Sequence, residues 1–176
     1  MSRTTKFTGK FSFNKSVDIS LRNYIDQFVK TRHVSRDISK IIDTDSKWKE
    51  HCYRGDLGRQ GEFYVIPNND IFLMNELNDS IINYETPPYS VPGLKCHWTI
   101  SYDGKSLEWD GDNSFENYIG WLLYLIENFF APNGYILNGY VEYQGESDDD
   151  AGVISIMDNG VNVDYFHDED ETVYDC

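Results

Sequence analysis

The segment from residue 30 to residue 37, KTRHVSRD, groups side chains that can bind anions. It holds a lysine, two arginines four residues apart, a histidine and two hydroxyls. A guanidinium group binds phosphate through paired, charge-assisted hydrogen bonds, which suits a phosphorylated ligand. A tyrosine on a later segment could stack a base beside these cations. The sequence therefore predicts an anion or nucleotide site made of Lys30, Arg32, His33, Arg36 and Tyr64.

The alternative for this segment is a structural role. Arg32 and Arg36 could pair with carboxylates of the sheet, such as Glu62 or Glu142, and would then be unavailable to a ligand. Tyrosine is also a common packing residue in β-sheets. Both interpretations stay open from the sequence.

Carboxylates crowd residues 142–150, where a hard divalent cation could find oxygen ligands. The alternative metal ligands are Asp148, Asp149 and Asp150. The segment lacks the alternating ligands, central glycine and terminal glutamate of a calcium-binding helix-loop-helix, which favours a solvated loop. The acids of residues 108–112, EWDGD, precede a predicted helix and are expected to stabilise its N-terminus.

Signatures of catalysis and of cofactors are missing from the sequence. The histidines do not have the spacing of a helical zinc motif, and neither a glycine-rich phosphate loop nor a nucleophile elbow occurs. His97 alternates with Cys96 and Trp98 and is expected to face outward from its strand. Three cysteines without pairing are expected to be reduced thiols. We therefore predict no cofactor and favour a non-enzymatic protein.

Hydrophobic periodicity predicts the elements that position these groups. Alternation over residues 7–13 predicts a strand, and apolar residues spaced three and four apart over 21–29 predict a helix. A longer helix is expected from Asn113, with Glu116 completing a capping box, through the apolar run that ends before Pro132. Because apolar residues cover more than half of its circumference, this helix should be central.

The later strands are joined by predicted hairpins. Strands are expected at 61–67, 96–102, 107–109, 135–144, 152–157 and 161–165. Asp103-Gly104 and Asn159-Gly160 are typical hairpin turns. We therefore expect an α+β fold with a mainly antiparallel sheet, one long central helix and an N-terminal helix packed on it. A single domain should span residues 1–166, followed by an acidic tail at 167–176.

The net charge of −15 is unevenly divided along the chain. Residues 1–60 hold 13 Lys and Arg against 7 Asp and Glu, and residues 61–176 hold 2 against 23. An acidic surface repels nucleic acid, so direct nucleic-acid binding is not expected, and it attracts a basic partner instead. The alternative is that the two halves neutralise each other within the fold.

The chain shows no predicted membrane segment. Its longest strongly apolar stretch, residues 121–130, is shorter than the roughly 20 residues of a membrane-spanning helix. The N-terminal residues do not resemble an export signal. We expect a cytoplasmic protein with no membrane partner.

Four segments resemble a family of short uncharacterised proteins carried by bacteriophages and prophages. They are residues 31–37 (TRHVSRD), 61–65 (GEFYV), 107–111 (LEWDG) and 134–139 (GYILNG). The resemblance extends from about Phe7 to Val163, with departures at His33, where an arginine is expected, and at Tyr143, where a tryptophan is expected. It assigns no activity, and it implies an accessory role in the cytoplasm of a host cell.

These observations predict a phage accessory protein that binds, inhibits or sequesters a host factor or a small nucleotide signal, as an anti-defence protein would. Three alternatives stay open. One is a metal-dependent phosphodiesterase or nuclease that uses the acidic cluster. The others are an acidic DNA mimic that occupies a basic groove, and an assembly component that forms a homo-oligomer through an edge strand.

Overall fold

The computed structural model describes residues 3–66 and 77–166. The described strands are β1 (Lys6–Phe13), β2 (Ser35–Arg36), β3 (Ile81–Asn83), β4 (Trp98–Ile100), β5 (Ser106–Trp109), β6 (Leu137–Gln144), β7 (Ala151–Met157) and β8 (Gly160–Tyr165). The described α-helices are α1 (Ile19–Lys30), α2 (Ile38–Thr44), α3 (Trp48–His51) and α4 (Tyr118–Leu125), and a 3₁₀ helix spans Leu77–Ser80. The predicted α+β class is confirmed.

The main sheet is antiparallel and has the strand order β4-β5-β1-β6-β7-β8. Strands β2 and β3 form a separate antiparallel pair. β1 lies in the middle of the main sheet, with β5 on one side and β6 on the other. The predicted mainly antiparallel sheet is therefore confirmed.

One face of β1 supplies much of the core. Phe7, Phe11 and Phe13 are buried, and the residues between them are exposed, as a strand with one covered face requires. Gly9 lies where β1 and β6 approach closely, with a φ of 108° and an ideal Cβ position 2.9 Å from the Tyr140 carbonyl oxygen. A side chain at this position would push the two strands apart.

The central helix differs from its prediction at both ends. It begins at Tyr118, so the capping box from Asn113 to Glu116 is wrong. The Asn113 carbonyl instead accepts a hydrogen bond from the Thr5 amide (2.9 Å), and the Asn117 side chain donates to the Pro92 carbonyl (2.8 Å). These contacts hold residues 113–117 as an irregular loop between β5 and the helix.

Beyond Leu125 the same helix changes its winding. A π-helical turn spans Ile126–Phe130, and a 3₁₀ turn spans Ala131–Asn133. Gly134, with a φ of 77°, ends the run. The helical run is thus long, but it is α-helical only in its first half.

Helix α1 packs on this central helix through aromatic rings. The Phe28 ring centroid lies 5.8 Å from that of Trp121 and 5.6 Å from that of Phe129. Asp18 caps α1 by accepting a hydrogen bond from the Leu21 amide at 3.0 Å. The central helix in turn covers the buried face of the sheet, where the Phe13 ring lies 5.0 Å from that of Phe130.

Two local predictions need correction. Residues 61–66 form turns rather than a strand, because Gly61 has a φ of 77° and the Tyr64 amide bonds back to its carbonyl at 3.1 Å. The last hairpin turns one residue earlier than predicted, with Asp158 and Asn159 both at positive φ. A hairpin at Asp103-Gly104 joins β4 to β5 as expected, but of these two residues only Gly104 has a positive φ.

Within the described ranges, helices of the length and hydrophobicity that cross a bilayer do not occur. The predicted acidic tail at 167–176 lies outside the described residues.

Candidate functional site

Arg32 of the predicted anion site is ion-paired. Its Nη2 lies 3.2 Å from the Glu85 carboxylate, its Nε donates to the Tyr84 carbonyl at 3.1 Å, and its guanidinium covers the Tyr84 ring. Its partner is therefore Glu85, and not Glu62 or Glu142 as the structural alternative supposed. This pair is partly exposed, so a ligand would have to displace it.

Arg36 and Tyr64 meet inside the protein. The Arg36 guanidinium donates to the Ser80 hydroxyl at 3.0 Å and lies 5.1 Å from the centroid of the Tyr64 ring. Both side chains are buried, and burial lowers the pKa of Arg36 and raises the pKa of Tyr64. A buried Tyr64 has no free face on which a base could stack.

Lys30 and His33 also have local partners. The Lys30 ammonium pairs with Asp26 at 3.0 Å on the surface of α1. His33 is buried, with Nε2 2.8 Å from the Phe28 carbonyl oxygen, and desolvation lowers its pKa to about 4. Its imidazole is thus neutral at pH 7 and brings no charge to a phosphate. The nucleotide site stays a prediction, and the described contacts give its five residues structural roles.

The alternative metal ligands lie on an exposed loop. Asp148, Asp149 and Asp150 occupy the turn between β6 and β7. Among residues 3–66 and 77–166, no three side chains of His, Cys, Asp or Glu are grouped closely enough to hold a metal ion. This arrangement gives the metal-dependent phosphodiesterase hypothesis no support.

His97 is buried, which corrects the expectation that it faces outward. Its Nδ1 lies 2.8 Å from the Asp110 carboxylate, and its carbonyl accepts a hydrogen bond from the Asp110 amide at 3.0 Å. The imidazole meets the Phe115 ring edge-on at 5.0 Å between centroids. The two ring nitrogens of His97 thus face two carboxylates, Nδ1 that of Asp110 and Nε2 that of Asp112.

Nε2 of His97 lines a cleft of about 550 Å³. The other lining residues include Pro87, Pro92, Leu94, Lys95, Asp112 and Glu116. Nε2 makes no hydrogen bond to any residue that the structure describes, and the nearest carboxylate oxygen is Oδ2 of Asp112 at 4.0 Å. The other oxygen of Asp112 accepts hydrogen bonds from the hydroxyl and the amide of Ser114, which lower the pKa of this carboxyl. Asp112 is therefore ionised at neutral pH.

The cleft lies in an acidic rim formed by two neighbouring loops. β1 begins between these loops, where the Thr5 amide bonds to the Asn113 carbonyl at 2.9 Å and the Thr4 amide to the Glu146 carboxylate at 3.0 Å. Glu116 and Asp150, one from each loop, line a common cleft of about 370 Å³. We define the acidic rim as Asp110, Asp112, Glu116, Glu146, Asp148, Asp149 and Asp150.

The acidic rim is exposed and carries more negative than positive charge. All seven residues are exposed as a whole, although the side chain of Asp110 is only 25% exposed where it faces His97. Within the described part of the chain, none of the seven forms an ion pair with lysine or arginine. The rim's charged neighbours among the described residues are His97, which pairs with Asp110 and Asp112, and Lys95, which lines the same cleft as Asp112. Arg3 lines the other cleft together with Glu116 and Asp150. A cation can therefore bind the rim without first breaking a salt bridge to a lysine or arginine of the described residues.

Sequence reasoning missed the pairing of His97 with Asp110, although a signal was present. The Asp103-Gly104 turn sets the register of the β4–β5 hairpin, which pairs Trp98 with Trp109. The next pair outward is residue 97 with residue 110. The acids of residues 108–112 do not lie at the helix N-terminus as predicted, because the helix begins only at Tyr118.

No protein-family model matches the chain, and no curated protein or solved structure matches it either. The resemblance to phage proteins stays a prediction, carried by the motifs quoted above.

Proposed function

We propose that this protein is a non-enzymatic phage accessory protein that binds a basic segment of a host factor through the acidic rim and thereby blocks that factor. The observation that carries the proposal is the rim itself, a group of seven acidic residues on two adjoining loops that form no ion pair with a lysine or arginine among the described residues. Complementary charge steers association and selects the partner.

The rim fits a basic partner better than the segment 30–37 fits an anion. Arg32 and Lys30 already have carboxylate partners, and His33 is buried and neutral. The net charge of −15 acts in the same direction, because it attracts cationic surfaces over a distance of about 8 Å at physiological salt. Binding a cationic segment is thus the activity that the described geometry supports best.

Capture from host lysate tests the proposal with two variants of equal net charge. The rim variant is D148N/D149N/D150N, and the matched variant is E50Q/E127Q/D158N. The matched acids are exposed and lie outside the rim. We expect the same basic protein to be retained by the wild type and the matched variant, to be lost with the rim variant, and to elute as salt rises.

Three outcomes separate the proposal from its rivals. Equal retention by the rim variant and the wild type would show that the partner binds elsewhere. A nucleotide in the heat-released supernatant of the purified protein would favour the small-signal alternative. Competition by duplex DNA for the captured partner would identify the rim as a DNA mimic, because the partner's groove then also binds nucleic acid.

A further inference from the structure

Strand β8 forms one edge of the main sheet. Within the described part of the chain, its one neighbouring strand is β7. The Phe166 amide donates to the Ala151 carbonyl at 2.9 Å, so these two residues form a hydrogen-bonded pair. Because bonded and non-bonded pairs alternate along an antiparallel ladder, the N–H and C=O groups of Val161 and Val163 point away from β7. An edge with such groups is a template for a further strand.

Large apolar side chains are exposed beside this edge. Met157 is 77% exposed, Tyr165 is 62% exposed and Phe166 is 52% exposed. They lie at the two ends of β8, because Met157 pairs with Gly160 at its start and Phe166 follows Tyr165 at its end. Apolar groups next to outward-pointing backbone groups favour a surface on which another chain packs.

We propose that a second copy of this chain covers the edge, with the two β8 strands antiparallel and the two Val163 residues opposite each other. The outward-pointing groups of Val163 then exchange N–H···O=C hydrogen bonds across a twofold axis. In the same register, Val161 of each copy lies opposite Tyr165 of the other, on the covered face of the sheet. The two six-stranded sheets thereby form one continuous sheet.

The same register matches charge and shape on the outer face of the sheet. Asp164 is the one charged residue of β8, and it lies opposite Asn162 of the other copy, whose amide can donate to its carboxylate. Within one copy this amide makes only a long contact of 3.4 Å with the Asp164 carboxylate, so it can serve a better-placed acceptor. Phe166 lies opposite Gly160 of the other copy, where its ring can pack over the glycine against Met157.

The net charge decides how this pairing responds to salt. Each copy carries a net charge of −15, so two copies repel each other at low ionic strength. Salt screens this repulsion and leaves the backbone hydrogen bonds and the apolar contacts in place, so self-association strengthens as salt rises. Binding of a basic partner at the acidic rim responds in the opposite direction. The pairing does not depend on the rim, and the sign of the salt effect separates the two interactions.

Sedimentation velocity of the full chain over a range of concentrations, at 50 and 300 mM salt, tests the pairing. We expect a monomer–dimer equilibrium that shifts toward the dimer at the higher salt concentration. V163P removes the outward N–H but no bond to β7, and proline is tolerated on edge strands. It should weaken the dimer by roughly tenfold to a hundredfold, because the hydrogen bonds of the Val163 pair are lost. A monomer at every concentration, or a dimer that V163P leaves unchanged or that salt weakens, would overturn the proposal.

Cysteine cross-linking tests the register and remains informative if V163P does not fold. In a C176S background, V163C places two thiols opposite each other at the Cα separation of about 5.5 Å of a hydrogen-bonded pair, which a disulfide accepts. V161C is the matched control, on the same strand and face but opposite Tyr165 of the other copy. We expect mild oxidation to give a covalent dimer with V163C and not with V161C. Equal cross-linking of both variants, or of neither, would refute this register.

Discussion

Acidification should destabilise this protein through His33. The imidazole is fully buried, and desolvation, the nearby charges of Lys95 and Arg36, and only partial compensation by the Phe28 carbonyl bring its pKa from 6.5 to about 4. The unfolded chain therefore binds a proton more tightly than the native protein does. The stabilisation that comes from keeping His33 neutral is complete above pH 6.5, and it is lost as the pH falls from 6.5 toward 4.

The magnitude follows from the difference between the two pKa values. A tenfold difference in proton affinity corresponds to about 1.4 kcal/mol, so protonation of His33 costs about 3 kcal/mol when complete. Between pH 7 and pH 5 the expected loss is about 2 kcal/mol, because at pH 5 only the unfolded state is protonated. This loss should lower the urea midpoint by roughly 1 M.

Urea denaturation of the wild type and H33Q at pH 7, 6 and 5 measures this effect. Glutamine can keep a donor near the Phe28 carbonyl but does not titrate. The acidic groups of the chain titrate equally in both proteins, so subtracting the two curves isolates His33. If the two proteins lose the same stability between pH 7 and pH 5, His33 is not a buried neutral imidazole and the structural role given to it is wrong.

Four further predictions concern packing, turns, thiols and surface charge. G9A should destabilise the protein by more than about 2 kcal/mol, because β1 and β6 would have to separate. G55A has open space around its Cβ and should cost only the roughly 1–2 kcal/mol of its positive φ. Chemical denaturation of both variants compares the two losses directly. F28A should lower the free energy of unfolding by about 3–5 kcal/mol, since the Phe28 ring packs against Tyr24 within α1 and against the central helix. A decrease below about 1 kcal/mol would refute that packing. In a C176S background, Cys52 and Cys96 should not react with a thiol reagent at pH 8 until the protein unfolds, because burial raises the pKa of the Cys52 thiol to about 11 and that of Cys96 further; rapid labelling of the native protein would contradict this. E85Q should change the unfolding free energy by less than about 1 kcal/mol, since the Arg32 pair is exposed, and a larger loss would mean that the pair is a structural anchor.

The elements with strong periodicity could be predicted from the sequence. In β1 and α1 the residues that the hydrophobic pattern predicts to be buried are buried, because each element has one covered face and one solvated face. The start of the central helix could not be predicted, since long-range bonds from Thr5 and Pro92 decide the shape of the preceding loop. Residues 61–66 have strand propensity but turn at Gly61, and tertiary packing overrides such local preference.

The candidate site was harder to predict than the fold. The sequence left open whether Arg32 and Arg36 are paired and could not identify their partners, because Glu85 and Ser80 are about fifty residues away in the chain. Strand alternation predicts which face of the sheet His97 lies on, but it does not predict whether another segment covers that face. In the structure, the loop that carries Phe115 covers His97. The composition shows that the second part of the chain is acidic. It does not show that seven of these acids lie on two adjoining loops, because the loops are brought together by the start of β1, which bonds to both.

The measurement that tests the central claim most directly is the affinity of the wild type, the rim variant and the matched variant for the captured partner at 50 and 300 mM salt. If the partner binds the acidic rim, the rim variant should bind it about tenfold more weakly than the matched variant does at low salt, and this difference in affinity should shrink at high salt. Equal affinities for the two variants at both salt concentrations would contradict a binding site on the rim.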